Sequence, residues 1–69
     1  METIYVKLLD EGTDCWRPVK AMKVGEDLYQ LNGAVPTDEI WEFLPGTVVR
    51  VTRKEFMAET IGLVAISMI

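Results

Sequence analysis

Histidine is absent from this 69-residue chain, and cysteine and serine occur once each, as Cys15 and Ser67. One thiol cannot form an internal disulfide, and without histidine the chain lacks the usual ligands of a tetrahedral zinc site. Neither Cys15 nor Ser67 has an imidazole that could serve as its base, which disfavours nucleophilic catalysis. We therefore predict a protein that is not an enzyme and that holds no metal and no cofactor.

Long hydrophobic runs are also missing. The longest, Ile61 to Ile69, has nine residues including Gly62 and Ser67, whereas a membrane-spanning helix needs about 20. Near the N-terminus, Glu2 stands where a signal peptide would carry positive charge. Together with the single cysteine, these features predict a cytoplasmic protein without a membrane segment.

The chain does contain enough apolar material for one small core. Hydrophobic residues make up 49% of the sequence, too many for a disordered chain, and the formal net charge is -4. A chain of this length buries only about 60% of its unfolded surface, so it has room for one core but not for a deep enclosed pocket. No linker or repeat divides the sequence, and we predict a single domain over residues 1–69.

Alternating apolar residues, β-branched residues and turn signals predict an all-β chain. The expected strands cover residues 3–9, 16–23, 27–32, 47–54 and 61–67, and residues 40–44 could add a short sixth strand. Asn32-Gly33 and Pro45-Gly46 mark turns. Residues 56–60 could form one helical turn, so helix should involve fewer than about a tenth of the residues.

A flat sheet of this size would expose long unpaired edges, and closing the sheet removes them. We therefore expect a small barrel of five or six strands, with Asp10 to Cys15 as the long loop between its first two strands. The favoured architecture is a Src-homology-3-like barrel. The alternative is an oligonucleotide/oligosaccharide-binding-type barrel, which usually needs more residues and a helix between its third and fourth strands.

Two segments resemble the paired signatures of short, uncharacterised bacterial proteins. The first, Lys7 to Val19, contains Trp-Arg-Pro-Val, and the second, Glu39 to Gly46, contains Trp-Glu-Phe-Leu-Pro-Gly. They cover about a third of the chain. This resemblance implies a bacterial, cytoplasmic origin and no particular activity.

A second resemblance is to Src-homology-3 domains, which place an acidic loop beside a tryptophan. The residues that resemble this arrangement are Asp10, Glu11, Asp14 and Trp41. The Ala-Leu-Tyr-Asp-Tyr motif of those domains is absent here. The resemblance therefore implies the fold and not the recognition of proline-rich peptides.

The aromatic residues give the strongest indication of function. Six large rings are too many for this core, which we expect to take Tyr29, Phe56 and one of the two tryptophans. Trp16 shares a strand face with Lys20 and lies opposite Val19, so we expect its ring to be partly exposed. The predicted binding patch joins aromatic rings to an acidic rim and consists of Trp16, Trp41, Phe43, Asp10, Glu11 and Asp14, with Asp38, Glu39 and Glu42 nearby.

An exposed tryptophan surrounded by charge is typical of an anchor in a protein interface. We therefore predict a non-catalytic protein-interaction module, an adaptor or inhibitor of a larger protein. Because the rim is acidic, the expected partner is basic.

RNA binding is the alternative, because many small barrels bind RNA. It would use Arg50, Arg53 and Lys54, at the end of the strongest predicted strand. From Gly46 onward the chain carries three bases and two acids, a balance of +1. Phosphate binding needs a concentrated positive field, so we place RNA second.

The last predicted strand is apolar on both faces, whereas a barrel strand normally has one face in water. Either loops or a second subunit must then cover its outer face. We predict a homodimer through Ile61–Ile69.

Overall fold

The structure, a computed structural model, describes residues 1–57 and 60–69, and these residues form strands and turns but no helix. The strands are β1 (Glu2–Leu9), β2 (Cys15–Gly25), β3 (Leu28–Leu31), β4 (Ile40–Trp41), β5 (Val48–Met57) and β6 (Thr60–Met68). All five predicted strands are confirmed, and the segment 40–44 contributes the two-residue β4. The possible helical turn at 56–60 falls partly on residues 58 and 59, which lie outside the described residues, while Met57 ends β5 and Thr60 begins β6.

Five strands follow one another around a small closed barrel in chain order, namely β1, β2, β3, β5 and β6. Every neighbouring pair is antiparallel except β6 and β1, which are parallel. The parallel closure follows from the odd number of strands, because after four reversals the fifth strand points the same way as the first. The small all-β barrel is thus confirmed, and its sequential strand order differs from the Greek-key order of the oligonucleotide/oligosaccharide-binding-type alternative.

The pairing of β6 with β1 closes the barrel. One edge of β1 pairs with two strands, β6 and β4. The other edge pairs with β2 from Glu2 to Leu8. On the divided edge, Ile4 and Tyr5 pair with β6, whereas Leu8 and Leu9 pair with β4. The ladder between β6 and β1 therefore ends at Tyr5, and the pairing of β1 with β4 begins at Leu8.

Alternate residues of each long strand point into the barrel, as the period of two requires. In β1, Ile4 and Val6 are fully buried, and in β2 Val19 and Ala21 are buried as well. The buried core consists of apolar and aromatic side chains: Ile4, Val6, Val19, Ala21, Tyr29, Leu31, Trp41, Val49, Val51 and Ala65. The described part of the chain contains no buried side-chain nitrogen or oxygen without a hydrogen-bond partner.

Two glycines with positive φ form the turns around β4. Gly33 has a φ of 103° and Gly46 a φ of 92°, a region of backbone conformation that glycine adopts with little strain. The amide of Gly46 donates to the carbonyl of Leu31 at 2.7 Å, which joins the turn before β5 to the end of β3. The predicted turn at Pro45-Gly46 is thus confirmed, and at Asn32-Gly33 the chain bends after β3.

Candidate binding site

The two tryptophans occupy different environments. Trp41 is only 6% exposed and packs in the barrel core, where its indole Nε1 donates to a Glu39 carboxylate oxygen at 3.0 Å. Phe43 is half-buried and packs against the same core. The expected surface patch of Trp16, Trp41 and Phe43 is therefore not assembled. Trp41 lies in the core, and Phe43 packs against the core.

Trp16 is half-buried on the outer face of β2, as its shared face with Lys20 predicts. Its ring meets Phe56 of β5 edge to face, with centroids 5.4 Å apart and planes inclined by 75°. Phe56 in turn stacks at a tilt on Tyr5 of β1, with a centroid separation of 4.6 Å. We call Tyr5, Trp16 and Phe56 the outer aromatic cluster, and its existence corrects the expectation that Phe56 lies in the core.

Gly62 of β6 is the reason that the outer aromatic cluster can form. A β-carbon at this position would lie 2.7 Å from Cε2 of Tyr5 and 2.9 Å from Cε2 of Phe56, closer than such atoms approach. The two rings therefore cover the bare backbone of Gly62. A glycine inside an apolar strand is the sequence signal for such a close approach, and it could have indicated this cluster in advance.

Val64 shows that this outer surface has a small core of its own. It stands opposite Tyr5 in the ladder between β6 and β1, and opposite Thr52 in the ladder between β5 and β6, so it faces outward. Even so, Val64 is only 6% exposed. A second layer of packing therefore covers the outside of the barrel where β1, β5 and β6 meet.

A groove of about 420 Å³ lies beside Trp16, where β6 separates from β1. Val64 and Ala65 line its β6 side. The charged and bulky residues that line it are Lys7, Trp16, Glu42, Arg53, Lys54 and Ile66. Three of these are cations and one is an anion. Lys7 is paired with Asp14, so Arg53 and Lys54 make the groove positive in a protein whose net charge is -4. We call this space the cationic groove.

Lys54 joins the cationic groove to the outer aromatic cluster. Its ammonium lies 4.9 Å from the centroid of the Trp16 ring, in the range of a cation–π interaction. Phe56 holds the same ring by its edge. The indole is thus fixed by two neighbours from β5, although it belongs to β2.

On its other side Trp16 borders a second groove of about 400 Å³, lined also by Tyr5, Asp14, Cys15, Phe56 and Thr60. This side groove is mainly aromatic and carries one acid. Trp16 therefore separates an apolar groove from a cationic one, and a ligand could contact the indole from either side.

The predicted acidic rim is only partly present. Asp10 and Glu11 are exposed in the loop before β2. Asp14 forms an ion pair with Lys7, with 3.4 Å between the ammonium and the carboxylate oxygen. Asp14 thus adds little free negative charge beside Trp16, since an exposed pair of this kind largely balances its own charges.

Glu39 has a structural role that the sequence did not indicate. Its carboxylate accepts a hydrogen bond from Arg17 Nε at 3.0 Å and a second from Arg17 Nη2, and it also accepts the indole proton of Trp41. The hydrogen bonds from Arg17 and then Trp41 lower the pKa of Glu39 below its ordinary value. These hydrogen bonds attach the segment before β4 to β2, so the role of Glu39 is structural.

The basic residues of the RNA alternative divide into two groups. Arg53 and Lys54 line the cationic groove. Arg50 lies nearer the start of β5, where it pairs with Leu28 of β3 and with Ser67 of β6. The structure brings Lys7 rather than Arg50 to Arg53 and Lys54.

Within the described ranges, no group of three or more cysteine, aspartate or glutamate side chains is arranged to hold a metal ion. Among the same residues, no helix is long and apolar enough to cross a membrane. Comparison with known proteins found no matching family model, no matching curated protein and no matching solved structure.

Proposed function

We propose that this protein is a non-catalytic protein-binding module, an adaptor or inhibitor of a larger protein, whose binding surface is centred on Trp16. The observation that supports this proposal is the position of Trp16 outside the barrel between two grooves. A tryptophan anchor in an interface contributes a large contact area and a polar N–H group.

The contacts that hold the Trp16 ring in place favour a binding role for this residue. Phe56 and Lys54 already hold the indole in one orientation, so a partner would not have to immobilise it. Binding then costs less side-chain entropy than it would with a freely rotating tryptophan. The ring is part of the surface and not of the main core, which leaves it available for contact.

The charge around Trp16 bears on the nature of the partner. The expectation of a basic partner rests on Asp10, Glu11 and Asp14. Asp14 is paired with Lys7, and Lys54 lies against the ring, so the nearest charges are mainly positive. The groove beside Trp16 is therefore better suited to a partner that brings acidic groups.

Selection of a displayed random-peptide library against the immobilised protein tests this proposal. We expect enriched sequences that bind the wild type and lose about 30-fold in affinity, or about 2 kcal/mol, with Trp16→Ala. Met22→Ala, which removes another exposed apolar side chain of β2, is the matched control and should leave binding unchanged. Failure to enrich any sequence, or equal binding by Trp16→Ala, would contradict the proposal.

RNA binding is the second candidate, and a specific observation favours it: Lys7, Arg53 and Lys54 line one groove together with Trp16. Against it, Lys54 already occupies a face of the indole that a base would need for stacking. A titration of mixed single-stranded RNA at increasing salt separates the candidates. Phosphate contacts would make affinity fall steeply with salt, whereas contacts around an apolar centre would not.

Assembly forms another part of the proposal. The exposed apolar residues of the C-terminal segment are Ile61, Ile66, Met68 and Ile69. Each is more than half exposed, and none of residues 60–69 is charged. We propose that two copies associate through this surface, because burying it removes apolar area from water without opposing charges.

We also propose that the protein is a Src-homology-3-like barrel and that it acts in the cytoplasm of a bacterium. The sequential strand order and the acidic loop between β1 and β2 are compatible with that architecture.

A further inference from the structure

Among the residues that the structure describes, one edge of β6 has no strand partner over part of its length. Leu63 and Val64 pair with β1, and no pairing with β1 follows. From Ala65 to Met68, the ladders of the described residues join β6 only to β5. Ala65 is buried, whereas Ile66, Ser67 and Met68 are exposed. The backbone groups on the outer edge of these three residues can therefore pair with another chain.

The cationic groove reaches the start of this unpaired stretch. Ala65 and Ile66 line one side of it, and Lys7 and Glu42 line it from β1 and the residue after β4. Lys7 and Glu42 are themselves joined, because the amide of Glu42 donates to the carbonyl of Lys7 at 2.9 Å. The opening between β6 and this pair thus combines a free strand edge with room for a further segment.

We propose that an extended polypeptide segment containing acidic residues binds in the cationic groove by adding a strand to the edge of β6 beyond Val64. This inference rests on the proposed function and specifies the kind of partner. The backbone of the segment pairs with Ile66 to Met68, and its acidic side chains lie near Arg53 and Lys54. Its apolar side chains contact Ile66 and Trp16.

The occupant follows from charge and from backbone chemistry. Because Lys7 is paired with Asp14, Arg53 and Lys54 against Glu42 leave an excess of positive charge, which favours an acidic ligand. A strand edge offers alternating donors and acceptors at the spacing of a polypeptide, which a nucleic acid does not match. A second copy would bring the uncharged stretch 60–69 to the same edge and would supply no acidic side chain for Arg53 and Lys54.

Strand addition also predicts the pattern of the segment. Side chains of an added strand alternate between two faces, so acidic residues should recur at every second position. The positions between them should be β-branched or aromatic, because these residues fit a half-buried pleated surface. A segment with about three residues in the added strand matches the free edge, Ile66 to Met68.

The experiment uses peptides selected from the displayed library described above. We expect acidic residues at alternating positions. Methylation of the backbone nitrogens that face β6 should reduce affinity about tenfold or more, whereas methylation of the alternate nitrogens should have little effect. Lys54→Glu should weaken binding about tenfold, and Lys23→Glu, the same charge change on an exposed residue of β2, should not.

The outcomes separate this inference from the proposed function. Selected peptides that depend on Trp16 but are basic, or that tolerate methylation at every backbone nitrogen, would overturn strand addition and leave the protein-binding proposal in place. Loss of all peptide binding together with salt-sensitive binding of single-stranded RNA would overturn both. Peptides that convert a dimer to monomers and bind equally well to Lys54→Glu would show that a second copy occupies this edge. That result would also overturn the inference.

Discussion

Trp16 of β2 and Phe56 of β5 meet edge to face on the outside of the barrel, with ring centroids 5.4 Å apart. Their strands are not neighbours in the sheet, because β3 lies between them on the shorter way around the barrel, and β1 and β6 on the longer way. The contact runs along the longer way, since Phe56 also stacks on Tyr5 of β1. The contact therefore spans four strands on the outer face. It gives the molecule a second packed layer in addition to the core, and the two tryptophans belong to different layers.

This division predicts different effects for the two tryptophans. Trp41→Ala should lower the free energy of unfolding by about 3–5 kcal/mol, because it empties a large volume in the core. Trp16→Ala should cost clearly less stability, because its ring is only partly buried and lies outside the core. Urea denaturation of both variants measures the difference, and a larger loss for Trp16 than for Trp41 would mean that the outer layer supports the barrel more than the core does.

The outer layer also makes a prediction for glycine. Gly62→Ala should destabilise the protein by about 1–3 kcal/mol, because the new methyl group would press against Tyr5 and Phe56. Gly12→Ala is the control, since a β-carbon there meets nothing within 4 Å. Thermal unfolding followed by circular dichroism compares the two variants, and Phe56→Leu in the Gly62→Ala background should recover part of the loss. Equal stability of the two single variants would contradict the close approach of the rings to Gly62.

The lowered pKa of Glu39 predicts how stability depends on pH. Because its pKa in the folded state lies below the ordinary glutamate value of 4.5, the unfolded chain takes up the proton first as the pH falls. The contribution of Glu39 is therefore complete above the ordinary value and is lost as the pH drops through the lowered pKa. Glu39→Gln should remove this part of the acid dependence, whereas Glu26→Gln, in an exposed turn, should retain it. Urea denaturation at a series of acidic pH values measures the change, and parallel profiles for Glu39→Gln and the wild type would refute this role.

Self-association through the C-terminal segment is tested by sedimentation. The wild type should form dimers at high micromolar concentration, and Met68→Lys should shift it to monomers, because a charge would then be buried between two copies. Leu44→Lys changes an apolar residue of similar exposure in the loop before β5 and should leave the dimer intact. A wild type that stays monomeric throughout this range would disprove the dimer.

The positions of the strands follow from the sequence because strands have a short local signal. Alternation in Ile4, Val6 and Leu8, and the β-branched run through Val49 and Val51, require only neighbouring residues to be read. The turns at Gly33 and Gly46 are equally local. Barrel closure could also be anticipated, because a short sheet avoids exposed edges.

The surface around Trp16 depended on the tertiary structure. Strand alternation placed Trp16 outside the barrel, but it could not show that Phe56 and Lys54 would reach it from β5, across two intervening strands. Proximity in sequence suggested that Trp41 and Phe43 would join Trp16. The pairing of β4 with the end of β1 instead turns Trp41 into the core.

Charge shows the same division between local and long-range information. The sequence determines a net charge of -4 and an acidic loop between the first two strands. Only the fold decides that Lys7, Arg53 and Lys54 meet in one groove while Glu39 is occupied by Arg17. The period of a strand fixes which face a residue takes, but the strand that lies beside it is set by the register and closure of the whole barrel.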